Sequence, residues 1–237
     1  ETQNAKKIAE HFGAEHDIIE VDNYLEILPS AIGITEMPFW DNHWYFISQF
    51  ASKKSKFLAS GDGGDEIFGG YVFRYENFLS QINSNSTPIE KVKAYLNCHE
   101  RDWVIDQNQI FGNKSNFSWD SIHSILLPFF DNPLNPLEQV FLADYNGKLQ
   151  YNFSHVNNSI NHHFGLKSIS PLLSNDLISL LPHCDYQNKY DKSQNIGKIL
   201  LRKLLNNFDI NHLISKTKLG FSVNTLNLWK NHGKKIF

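Results

Sequence analysis

Residues 58–71, Leu-Ala-Ser-Gly-Asp-Gly-Gly-Asp-Glu-Ile-Phe-Gly-Gly-Tyr, place five glycines and three acids in fourteen positions directly after an apolar run. At a strand-loop-helix junction, Gly61, Gly63 and Gly64 let backbone N–H groups converge on an anion, and the following helix adds its positive end. Phosphate is the natural guest of such a loop. Yet no lysine follows the glycines as a Walker A loop requires, and Glu66 stands where a dinucleotide fingerprint needs its third glycine. The acids supply the missing part. Asp62, Asp65 and Glu66 are hard oxygen ligands, and Mg²⁺ is commonly held by one or two carboxylates, with phosphate oxygens and water completing its shell. The mixture suits a magnesium-bridged polyphosphate. A calcium loop of the EF-hand type needs alternating ligands and a closing glutamate that this segment lacks. The competing reading is a glycine turn whose acids cap the next helix.

The surrounding pattern says what must position the loop. Ala5, Ile8, Ala9 and Phe12 share one helical face within residues 1–13, and His16–Val21 reads as a short strand. Residues 24–33 suggest a short helix and 43–54 a longer one, leading into the apolar Phe57-Leu58-Ala59. Short strands alternating with helices point to a parallel sheet whose ligands bind beyond the carboxyl ends of its strands, where residues 60–65 fall. After Tyr71 the pattern shows no second run of strands. Residues 80–88 read as a polar loop, 88–103 as a helix, and 128–136 as a proline-broken turn. Residues 137–151, 174–182 and 194–207 have helical spacing. We therefore expect an α/β part over 1–75 and a mainly helical part over 76–237.

Composition sets the limits. The 237 residues are 41% hydrophobic and 14% aromatic, enough to bury a core, and the net charge of −3 gives no footprint for nucleic acid. No apolar run approaches a membrane span, and the first residues do not follow a signal-peptide plan. A soluble, cytoplasmic protein is expected. Cys98 and Cys184 lie outside any zinc spacing and read as reduced thiols. His11 and His16 are not spaced as a helical metal pair, and Trp40, Trp44, Tyr45 and Phe46 read as core rather than pocket. The chain begins at Glu1 with its only methionine at Met37, so the natural protein is expected to extend upstream.

The run Ser60–Tyr71 resembles the second nucleotide-site motif of the asparagine synthetase family, whose synthetase domain is also found in β-lactam and carbapenam synthetases. Residues 4–22 are similar to the helix and strand after that family's first ATP motif, and 37–57 to the stretch before the second. Residues 157–182 resemble, in degraded form, the segment ending in Arg-x-Pro-Phe-Leu-Asp. Residues 198–229 resemble the Lys-x-x-Leu-Arg and Arg-x-Lys-x-Gly-Phe blocks. The resemblance implies part of a parallel-sheet PP-loop ATP pyrophosphatase domain, like an adenine nucleotide alpha hydrolase, followed by a mostly helical half. It implies an ATP- and Mg²⁺-dependent ligase that adenylates a carboxylate, usually aspartate, for attack by ammonia.

By position, the resemblance gives Ser60 and Gly61, with Gly63 and Gly64, to the nucleotide. Asp62 falls on the acid that serves the acyl-adenylate, Asp65 on the Mg²⁺ ligand with Glu66 beside it, and Lys218 on the catalytic lysine. A fixed ammonium there can offset charge as pyrophosphate leaves. Ammonia would come from glutamine through a glutaminase domain not in this chain, and a homodimer is compatible with the reading.

The departures are as informative. The family's first ATP motif, Ser-Gly-Gly-x-Asp-Ser, does not occur in the 237 residues. Lys167, Ile169 and Ser174 stand where the middle block has Glu, Arg and Asp, and Asn224 replaces a proline, while Lys216 preserves a basic position. We expect no adenylation from these residues alone. Two alternatives stay open: an amide synthetase acting on another carboxylate, and a non-catalytic remnant that keeps the loop for folding.

Overall fold

The computed structural model describes residues 2–22, 24–37, 42–99, 116–214 and 225–233. In chain order these form α1 (Thr2–His11), α2 (Leu28–Thr35), α3 (His43–Ala51), β1 (Phe57–Ala59), α4 (Val72–Gln81), α5 (Pro88–Asn97), α6 (Trp119–Phe130) and α7 (Pro136–Ala143). A π-helical stretch, Asp144–Phe153, leads into α8 (Ser154–His163) and β2 (Lys167–Ile169). Then follow α9 (Asn175–Leu180), β3 (Tyr190–Asp191), β4 (Ile196–Gly197), α10 (Ile199–Leu205) and α11 (Thr225–Leu228). The result is mixed α/β, mostly helical with a small parallel sheet.

Contacts group the residues into two units, one of 1–62, 152–171 and 203–237, the other of 63–151 and 172–202. In the first, β1 and β2 pair in parallel, Phe57 opposite Lys167, Leu58 opposite Ser168 and Ala59 opposite Ile169. Helix α8 leads directly to β2 and packs on α2 and α3. Asn161 of α8 accepts hydrogen bonds from Trp44 Nε1 (3.0 Å) and Ser48 Oγ (2.6 Å) and donates to Ser168 Oγ (2.8 Å), so one buried amide ties helix to helix and helix to strand. Phe46 stacks on Tyr24, and Tyr45 meets Phe164 edge to face, which places these aromatics in packing. Trp40 lies outside the described residues.

The second unit is a helical core built from Tyr71, Tyr75 and Phe78 of one segment, Val92 and Tyr95 of α5, Phe130, and Leu137, Val140 and Phe141 of α7. Local chemistry starts two of its helices. Thr87 and Glu90 form a capping box before α5, Asn135 and Glu138 another before α7, and each helix has proline in its first turn. Inside the core Asp144 accepts from Tyr95 Oη (2.8 Å) and pairs with Arg74 Nη2 at 3.2 Å. Arg74 also lies over the Tyr71 ring and donates to His99 Nε2.

Several expectations change. Residues 14–21 form no strand; Ile18 and Ile19 are exposed, and no ladder partner lies beside them among the described residues. Strands do occur after Tyr71: β2 lies within the part expected to be mainly helical, and residues 190–197 form a short antiparallel hairpin before α10. That hairpin turns because Asp191 Oδ1 accepts from Ser193 N and Gln194 N, and Asn195 takes a left-handed backbone with φ 51°. Pro128 sits within the last turn of α6, where its missing N–H leaves Ser124 O without the usual i−4 donor, and the helix ends soon after at its C-cap Asp131. The helix expected over 137–151 divides into α7 and the π-helical stretch.

Burial and the Arg74 guanidinium push the His99 imidazole from its ordinary 6.5 down to about 4. The unfolded chain therefore binds a proton there before the folded chain does, and stability is lost as pH falls from about 6.5 towards 4. Urea midpoints measured from pH 7 to pH 4.5 should fall in the wild type and fall less in His99→Gln; parallel curves would show that His99 does not carry the effect.

Candidate functional site

The chain leaves β1 at Ala59 and enters the glycine-acid loop at Ser60. Ser60 N–H donates to Ile169 O at 2.9 Å, continuing the ladder, and Ser60 Oγ lies 3.3 Å from Ser170 Oγ. Two hydroxyls thus sit together past the carboxyl ends of two parallel strands, the edge where open α/β sheets bind ligands. Gly61 is exposed, and a Cβ added there would meet nothing within 4 Å. Packing therefore does not demand glycine at this position. Asp62 is fixed from the side: the buried Asn157 of α8 donates from Nδ2 to Asp62 Oδ1 (3.2 Å) and Oδ2 (3.1 Å).

From Gly63 the loop belongs to the second unit. Gly63 has φ 85°, and a Cβ there would strike the Leu173 side chain, so this glycine is required by the turn itself. Ile67 N–H donates to Gly63 O (2.9 Å) and Gly70 N–H to Asp65 O (2.8 Å), winding residues 62–69 into consecutive turns. Gly64 is buried within them. Helix α4 begins only at Val72, with Tyr71 as its N-cap and no side-chain cap bond. The expected helix start directly behind the glycines is displaced by these turns, and none of the three acids caps α4.

The acids have separate partners. Asp65 is half-buried, its Oδ1 is enclosed, and Lys198 Nζ lies 3.0 Å from that oxygen as an ion pair. Glu66 is buried and accepts from Tyr71 Oη. Desolvation raises the Glu66 carboxyl above its ordinary 4.5, while the Tyr71 hydrogen bond works in the opposite direction. Among the described residues no group of three or more His, Cys, Asp or Glu side chains gathers to hold a metal. One or two carboxylates are what Mg²⁺ on a phosphate ligand takes from a protein, and a half-buried Asp65 meets that need better than Glu66, which is turned to Tyr71.

Lys218 and Lys216 lie outside the described residues. Asn157, Ser170, Tyr71 and Lys198 were not singled out as site residues from the sequence. Lys198 carried a signal as the first residue of the Lys-x-x-Leu-Arg block and Tyr71 as the last of the loop motif; a polar residue such as Asn157 joins Asp62 from 95 positions away with no local pattern that gives it that role. Cys98 and Cys184 form no disulfide with each other. No helix among the described residues is long and apolar enough to cross a membrane.

The parallel strand pair, with Ser60, Asp62 and Ser170 past its carboxyl ends, gives the first unit a polar edge. The chain belongs to the asparagine synthase family, whose model matches residues 1–236. It is similar to asparagine synthetase (glutamine-hydrolyzing) 1 of Bacillus subtilis, 24% identical over an alignment covering 97% of this chain and 42% of the relative. It is also 25% identical, over 51% of its length, to chains of Mycobacterium tuberculosis and Mycobacterium bovis provisionally given the same enzyme name, covering 21% of each. The chain thus spans about two-fifths of the first relative and one-fifth of the others. No solved structure matches it.

The two glycines predict a contrast. Gly63→Ala should lower the unfolding free energy by more than about 1 kcal/mol, because φ and Leu173 both oppose a Cβ. Gly61→Ala should leave it within about 1 kcal/mol of the wild type. Urea denaturation of both variants checks this; equal losses would remove the distinction between a glycine required for folding and one left open for a ligand.

Proposed function

We propose that the protein is an ATP-dependent amide ligase of cytoplasmic type that adenylates a carboxylate, aspartate in the first instance, and lets ammonia displace AMP. The observation that supports it best is the placement of the loop acids: in a chain of this family, Asp62 is held by Asn157, Asp65 by Lys198 and Glu66 by Tyr71. The domain is read as a PP-loop ATP pyrophosphatase domain. Ser60 and Gly61 are assigned to the nucleotide, Gly61 having open space where its Cβ would stand. Gly63 and Gly64 form the turn that follows in the chain. Asp62 serves the acyl-adenylate, with Asn157 fixing its orientation.

Asp65 would hold Mg²⁺, which supplies positive charge to the phosphate oxygens; Glu66 supports the loop through Tyr71. Lys218 is assigned by its place in Lys-Thr-Lys-Leu-Gly-Phe, where its ammonium would offset charge as pyrophosphate departs. The missing Ser-Gly-Gly-x-Asp-Ser motif and the glutaminase that releases ammonia from glutamine would lie elsewhere in the full-length protein or in a partner chain; a homodimer is compatible with this.

One observation favours a second reading. Lys167 and Ile169 occupy β2, beside the strand that feeds the loop, where the family resemblance has Glu and Arg. That exchange suits a carboxylate other than aspartate.

ATP–pyrophosphate exchange by the full-length protein, run with Mg²⁺ over a panel of carboxylic acids, separates the two. Aspartate-dependent exchange is expected, and Lys218→Ala should lower it by roughly two orders of magnitude. Exchange with a different acid alone would establish the second reading, and none with any acid would sink the ligase proposal.

A further inference from the structure

We propose that Lys198 is a positioning residue for Asp65: its ammonium holds the carboxylate in the place where, on the reading above, it takes a divalent cation. The inference rests on that reading and deepens it. Lys198 Nζ is 3.0 Å from Asp65 Oδ1, an oxygen withdrawn from water, and a withdrawn carboxylate oxygen requires a nearby cation or donor. The ammonium itself is only partly covered, so the pair stands at the surface of the unit rather than inside its core.

The backbone around the pair is arranged to bring it together. Lys198 has a left-handed backbone, φ 57°, which a residue with a side chain adopts only when its surroundings enforce it. Here they do: Lys198 N–H donates to Phe68 O (3.1 Å), Ile199 N–H to Lys189 O (3.2 Å), and Arg202 Nε to Gly197 O (3.0 Å). A Cβ on Gly197 would collide with Gly69 O, and a Cβ on Gly70 would fall on Asp65 Oδ1 and Lys198 Cε. The second glycine pair of the loop, Gly69-Gly70, therefore admits the β3–β4 hairpin and the lysine that follows it. These glycines serve the acid–lysine pair, not a phosphate. The first residue of the Lys-x-x-Leu-Arg block and the last glycine of the loop are thus parts of one device.

Metal affinity tests this without recourse to turnover. Mn²⁺ serves as the probe, its binding to the full-length protein in the presence of ATP followed by electron paramagnetic resonance. Lys198→Met should weaken Mn²⁺ binding about 10- to 100-fold, the range for losing a group that orients a metal ligand. Lys198→Gln, also uncharged, should behave alike and serves where the Met variant does not fold. Lys198→Arg should recover most of the affinity, which a merely structural loss of packing would not predict. Wild-type affinity or tighter in Lys198→Met or Lys198→Gln overturns the inference, as does an arginine variant as weak as they are. A wild type that binds no Mn²⁺ with ATP contradicts the ligase reading itself, and the inference with it.

Discussion

A carboxylate oxygen removed from water must meet positive charge or a donor, and in this protein the requirement falls on Asp65. Lys198 answers it from 3.0 Å, but only because three glycines allow two backbone segments to approach closely. Much of the second unit follows from that meeting. The turns of residues 62–69 present Asp65, the β3–β4 hairpin presents Lys198, and Tyr71 closes the loop by donating to Glu66 while its ring lies beneath Arg74. Arg74 in turn reaches Asp144, which Tyr95 also contacts, so the loop end is continuous with the buried polar network of the helical core. Removing one partner of such a network is more damaging than its net contribution to stability suggests, because the remaining charge stays buried.

The first unit solves a smaller version of the same problem. Both carboxylate oxygens of Asp62 accept from one amide, Asn157, whose helix also carries Asn161, the residue that joins α3 and β2 through three hydrogen bonds. A helix that fixes the strand also fixes the acid past the strand's end. The economy of this arrangement fits a site residue that must keep one orientation in a loop otherwise rich in glycine.

The loop, the strand before it and most helices were legible because their signals are local: glycines and acids in a row, and helical spacing along α3 and α5. What failed depended on distant partners. His16–Val21 has strand composition but no strand beside it among the described residues, whereas Lys167–Ile169 falls in the part expected to be mainly helical and becomes a strand because β1 lies beside it. Residues 194–197 look helical until Asp191 and Asn195 turn the chain back. For the site, spacing revealed the acids but not what holds them; Asn157 and Lys198 lie 95 and 133 positions from their partners, beyond the reach of any local pattern. The family resemblance reached further than periodicity could, and the match over residues 1–236 agrees with it.

The central claim is that Asp65, steadied by Lys198, is the metal end of a nucleotide site. A crystal structure of the full-length protein with Mg²⁺ and a non-hydrolysable ATP analogue addresses it directly. The account predicts an Asp65 carboxylate oxygen about 2.1 Å from the metal, with Lys198 still beside the same carboxylate. A metal bound to the analogue with Asp65 outside its coordination sphere would contradict it.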